Sequence, residues 1–153
     1  MDKFRDMDMV EQVVVLEDIK ERDLVRYLPD LLKIYSAAEC DDAVDEMLYH
    51  TIFSLLDHRE DDILDGMENQ DRRIRQLCIR KAADVTPNRV KDRLVQELDE
   101  GEDQEMVSEI IRALSYYKDP ELIPVFERYL DHDDPAIVSW AEDGLEFIRG
   151  SLK

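Results

Sequence analysis

The sequence predicts an all-α chain, an α-solenoid of about four helix pairs preceded by a capping helix, and two observations carry that expectation. The first is an internal repeat. Windows opened at Asp41, Asp71, Asp103 and Asp134 lie 30, 32 and 31 residues apart and put apolar residues in the same columns. The fourth position holds Val44, Ile74, Met106 and Ile137, and the eighth holds Leu48, Cys78, Ile110 and Ala141. The twelfth holds Ile52, Ala82, Leu114 and Leu145; the fifteenth holds Leu55, Val85, Tyr117 and Ile148. The second observation is the spacing itself. Positions 4, 8, 12 and 15 form one stripe on a 3.6-residue helix, and no alternating strand pattern competes.

Taken in order, the elements begin with an amphipathic helix over about 7–20, built on Met9, Val13, Leu16 and Ile19, which closes the N-terminal end. Each of the four inner helices starts after an Asp able to cap its free amides. Each is preceded by an outer helix, at roughly 23–36, 59–68, 87–99 and 120–131. Pro87 and Pro120 mark outer-helix starts, where a missing amide proton costs little. Pro29 and Pro124, three periods apart, are expected inside their helices as kinks. A pair of about 31 residues cannot bury its face alone, so the pairs must stack. Repeats over 23–57, 58–85, 86–117 and 118–150 give one domain over 1–153, and Glu142, Asp143, Glu146 and Arg149 make the last helix polar enough to cap it.

The 153 residues are 44% hydrophobic, so a core is affordable despite 39 Asp+Glu against 20 Lys+Arg and a formal charge of -19. Such a charge repels phosphate backbones and anionic lipid, which argues against nucleic-acid and membrane partners. No run approaches the roughly 20 apolar residues of a membrane span, and no signal peptide is read at the start. Cys40 and Cys78 make no disulfide framework, consistent with a cytoplasmic chain holding free thiols.

Asp133-Asp134-Pro135-Ala136-Ile137-Val138, followed by Ala141, Gly144, Leu145 and Ile148, resembles a HEAT repeat of the short phycobilisome-lyase type. Asp119-Pro120 with Ile123-Pro124 and Phe126 resembles the first helix of the same repeat. The resemblance spans residues 23–150. It departs at Thr51 and Lys81, which replace the small residue found as Ala113 and Gly144; the Lys81 stem is expected along the core edge with its ammonium outside. The resemblance implies a binding scaffold. Some relatives attach bilins, hydroxylate a lysine derivative with iron, or excise alkylated bases.

Those chemistries need residues that can be checked. The iron branch uses His-Glu pairs, but His50 precedes Thr51, His58 precedes Arg59 and His132 precedes Asp133. Glu46 and His50 are four apart, a surface helix pair rather than the Glu-x-x-His of a bundle di-metal site. Asp131 to Asp134 lack the alternation and glycine of a calcium loop. There is no phosphate-cradling loop and no nucleophile elbow. Cys78 falls in a core column, whereas Cys40 precedes a helix and is expected to be exposed and mildly reactive. No cofactor, no metal and no catalytic set is therefore expected.

Two features stand out. Arg72, Arg73, Arg75, Arg80, Lys81, Arg89, Lys91 and Arg93 face only Asp84 and Asp92 between positions 72 and 93, a net +6 that leaves -25 elsewhere. This girdle is either a site for carboxylates or phosphates or a neutraliser of flanking repeats; the resemblance implies that Arg75 bonds a neighbouring repeat's loop acid. Beside the buried stripe, position seven reads Met47, Leu77, Glu109, Trp140, position ten reads His50, Arg80, Arg112, Asp143, and position fourteen reads Ser54, Asp84, Tyr116, Phe147. Arg80, Arg112, Trp140, Tyr116 and Phe147, with Arg73, make an arginine-and-aromatic set typical of binding hot spots, although Trp140 and Phe147 could equally finish the core. The expected function is a non-catalytic protein-interaction scaffold or adaptor using its concave inner face, as a monomer or weak homodimer. The alternatives are a bilin-lyase-like enzyme or its subunit, and an acidic nucleic-acid mimic that blocks a basic protein.

Overall fold

The structure is a computed structural model that describes residues 1–84, 88–101 and 103–151. The chain is an all-α solenoid. Among the described residues the α-helices are α1 (Met9–Glu21), α2 (Leu28–Ala37), α3 (Asp42–Leu55), α4 (Glu60–Met67), α5 (Arg72–Ala82), α6 (Asn88–Asp99), α7 (Gln104–Leu114), α8 (Ile123–Glu127) and α9 (Pro135–Ser151), with no strand. They fall into two compact units, Met1–Leu77 and Cys78–Lys153.

In the first unit, α1 and α2 pack on α3. Asp8 and Glu11 close a capping box at the start of α1. Val44, Leu48, Ile52 and Leu55 are all buried, so the α3 stripe is the core the spacing predicts. Each such side chain contributes roughly 1.5–3 kcal/mol on burial. Thr51, in the small-residue column, is fully buried and its hydroxyl donates to the Leu16 carbonyl at 3.4 Å. Asp41 does not cap with its side chain. Asp71 does, accepting from the Arg73 and Ile74 amides at 2.8 and 3.2 Å, and it also takes the Ser36 hydroxyl at 2.6 Å. Burial alone would raise the Asp71 pKa, but the bonds from Ser36, Ile74 and Arg73 outweigh it and hold the carboxyl below its usual value.

In the second unit, α6 packs on α7, and α7 and α8 pack on α9. Cys78, Ala82, Met106, Ile110, Leu114, Ile137, Ala141, Leu145 and Ile148 are buried as the columns require. Val85 and Pro87 lie outside the described residues. Tyr117 is only half-buried, and its hydroxyl donates to the Ala82 carbonyl at 2.9 Å. Asp103 caps α7 through the Met106 amide, and Asp134 accepts from the Ala136 amide at 2.9 Å ahead of α9. A Cβ on Gly144 would lie 2.6 Å from the Phe126 ring, so only glycine lets α9 approach α8 this closely.

Three expectations need correction. Pro29 and Pro124 do not kink helix interiors. Each stands in the first turn of its α-helix, after 3-10 turns over Val25–Tyr27 and Pro120–Leu122. The outer segment at 120–131 is thus a 3-10 turn and a five-residue α-helix. Lys81 does not reach out: its side chain is 3% exposed, with the ammonium 3.9 Å from Asp84. Leu77 is buried in the core instead of lying beside it.

Candidate functional site

The side chains beside the α7 and α9 stripes converge within the second unit. Arg80 on α5 donates from Nε and Nη2 to Glu109 Oε1 on α7, at 3.0 and 2.8 Å. Glu109 Oε2 lies 4.0 Å from Arg112 Nη1, and the Arg112 guanidinium stands 5.6 Å from the centre of the Trp140 ring on α9. Lys118, in the loop after α7, places Nζ 5.9 Å from the Phe147 ring centre. Tyr116 and Phe147 are 45% and 47% exposed. Arg80 and Arg112 are therefore joined through Glu109, Arg112 meets Trp140, and Phe147 is met by Lys118.

Exposed aromatics are what distinguishes this face. Phe147 stands outside the core that Ile137, Ala141, Gly144, Leu145 and Ile148 fill, and Trp140 is half-buried beside it. Their flat, rigid rings offer contact area at low entropic cost. A shallow depression of about 380 Å³ lies at the end of α9, lined by Lys118, Asp143, Glu146, Phe147, Gly150 and Ser151.

Arg73 lies in the first unit, apart from this group, and its guanidinium is fully engaged within that unit. Its Nη1 donates to the Tyr35 carbonyl at 3.0 Å, its Nη2 to Asp45 at 2.6 Å, and its guanidinium sits 4.1 Å from the Tyr35 ring centre. It clasps α2, α3 and α5. The bond to Asp45 raises its pKa further, while burial pushes the Tyr35 phenol up. Arg75, given the interrepeat acid bond by the resemblance, instead donates to the Asn69 and Gln70 carbonyls in the loop leading into its own helix.

Other girdle cations are engaged with acids. Arg93 Nη2 lies 2.5 Å from Glu97 Oε1. Lys91, almost fully buried, bonds Asp119 closely and Glu121 at 3.3 Å, and these bonds raise its pKa. The Lys91 bond is the leading reason the Asp119 carboxyl sits below its usual range. Cys40 is half-buried, and burial followed by Asp45 pushes its thiol up, the opposite of an activated thiolate. His50 and Glu46 are an exposed pair at 3.8 Å. Among the described residues, no three His, Cys, Asp or Glu side chains gather as a metal site would require.

Sequence reasoning missed the ties between repeats. Arg80 and Glu109 are 29 residues apart, Arg73 and Asp45 28, Lys91 and Asp119 28, and Gln104 and Asp134 30. For the first three, opposite charges separated by one period were the available signal. It also missed Tyr49 and Phe53, four apart on α3, whose rings stack at 5.7 Å beside Tyr35.

Stacked helix pairs joined by one-period ties define a repeat protein of the helical-solenoid class. A family profile for HEAT repeats matches residues 60–146, more than half of the chain, and the chain belongs to that family. HEAT repeats are commonly protein-interaction scaffolds. No curated protein matches the chain. No helix among the described residues is long and apolar enough to cross a membrane.

Proposed function

We propose that the protein is a non-catalytic interaction module of the cytoplasm, acting as a scaffold or adaptor through the α7 and α9 face that carries Arg112, Tyr116, Trp140 and Phe147. The observation that carries this reading is the exposure of Tyr116 and Phe147 beside a core that is complete without them. Exposed aromatics grouped with arginine mark binding surfaces. The repeats are of the phycobilisome-lyase type; the Asp134 cap before Pro135 and the Gly144 contact with Phe126 support that subtype. A net charge of -19 favours a protein partner over nucleic acid or anionic lipid and keeps the module a monomer or weak homodimer.

The test is comparative affinity capture from the native lysate with wild type and with Trp140→Ala/Phe147→Ala, after circular dichroism establishes equal helicity. Specific proteins recovered by wild type and lost by the variant are the expected result. Identical recovery would refute this face. Turnover of any small substrate by the purified protein would refute the non-catalytic part.

A further inference from the structure

Trp140, Asp143 and Phe147 stand at i, i+3 and i+7 of α9, so one helix face presents a carboxylate between two aromatic rings. Asp143 is half-buried, and Glu146 lines the same 380 Å³ depression as Asp143 and Phe147. Among the described residues no cation lies within ion-pair distance of Asp143 or Glu146. The cations that face the rings, Arg112 at 5.6 Å and Lys118 at 5.9 Å, are close to the roughly 6 Å limit at which such an interaction still counts. Aromatic faces with an acid between them that no described cation pairs, on a chain of charge -19, fit a cation.

Resting on the interaction-module reading above, we infer that this face docks a basic segment of a protein partner, an arginine- or lysine-bearing stretch that sets one cation against Asp143 and over Phe147. Among the described residues Lys118 is the one cation lining the depression, and it occupies the ring the incoming cation would use. It therefore competes with the ligand. Removing a positive charge from the protein at this point tightens binding of a basic peptide, whereas an acidic occupant would be weakened by the same change.

The chain has one tryptophan, so Trp140 emission reports on this face alone. The full chain is titrated with a capped hexa-arginine peptide and a capped hexaglutamate peptide. The salt is about 0.15 M, where attraction between exposed charges is screened beyond roughly 8 Å. The expected result is a saturable emission change with the basic peptide only. Asp143→Asn weakens it about tenfold, the loss of one charge-assisted contact, and Lys118→Ala tightens it about threefold. A response to hexaglutamate, weakening by Lys118→Ala, or an Asp143→Asn curve matching wild type would overturn the inference. If hexa-arginine gives no response while captured proteins still depend on Trp140 and Phe147, the basic occupant is wrong and the interaction module stands. If both fail, both are wrong.

Discussion

Arg73 in the first unit and Arg112 in the second both belong to the arginine-and-aromatic set, and their surroundings divide them. Arg73 makes a 2.6 Å bond to Asp45, a 3.0 Å bond to the Tyr35 carbonyl and a 4.1 Å ring contact, reaching three helices. Arg112 has a carboxylate oxygen at 4.0 Å and a ring at 5.6 Å. Both are arginines set against an aromatic ring, yet one arginine is part of the fold and the other stands at its surface. The lesson is that partner number and distance, not chemistry alone, separate a clasp from a loosely held surface side chain.

The difference is between clasp and surface rather than between the two units, because the second unit has its own clasp at Lys91. Replacing Asp119 by Ala strips a buried ammonium of its closest acid and is expected to cost about 3 kcal/mol in urea unfolding. A cost below about 1 kcal/mol would remove Lys91 from the class of clasps. Gly144→Ala comes next, at about 2 kcal/mol, because the Phe126 ring must move to admit the new methyl group. Arg73→Ala follows at about 1.5 kcal/mol, discounted because its side chain is a third exposed.

Acid sharpens the same contrast. Asp71 and Asp119 both have folded pKa values below the ordinary aspartate value, so the unfolded chain binds protons more readily. Their stabilisation is complete above about pH 4 and disappears as pH falls through the folded values. Asp119→Asn is expected to flatten that acid limb of a melting-temperature profile, and an unchanged limb would contradict the Lys91 clasp. The smallest effect belongs to Arg112→Ala, expected to shift stability by less than about 0.5 kcal/mol while changing Trp140 emission.

The core was legible in the sequence because a helix stripe has a fixed period, and Val44, Ile74, Met106 and Ile137 are buried as that period demands. Capping was legible at Asp71, Asp103 and Asp134, but not at Asp41, since a residue type able to cap does not fix the rotamer that caps. Pro29 and Pro124 were misread because a 3-10 turn leading into an α-helix has nearly the same apolar spacing as one long helix. Lys81 was misread because burial of a long cation depends on neighbours that no local pattern encodes. At the candidate site the aromatics were legible in the two columns beside the stripe, positions seven and fourteen. The role of Glu109 was not, because a tie between repeats pairs residues a full period apart.

Parallel measurement of unfolding free energy and partner capture for Arg73→Ala and Phe147→Ala tests the division between clasp and surface most directly. The account predicts that Arg73→Ala loses stability and keeps its partners, while Phe147→Ala keeps stability and loses them. Stability and capture falling together in both variants would contradict it.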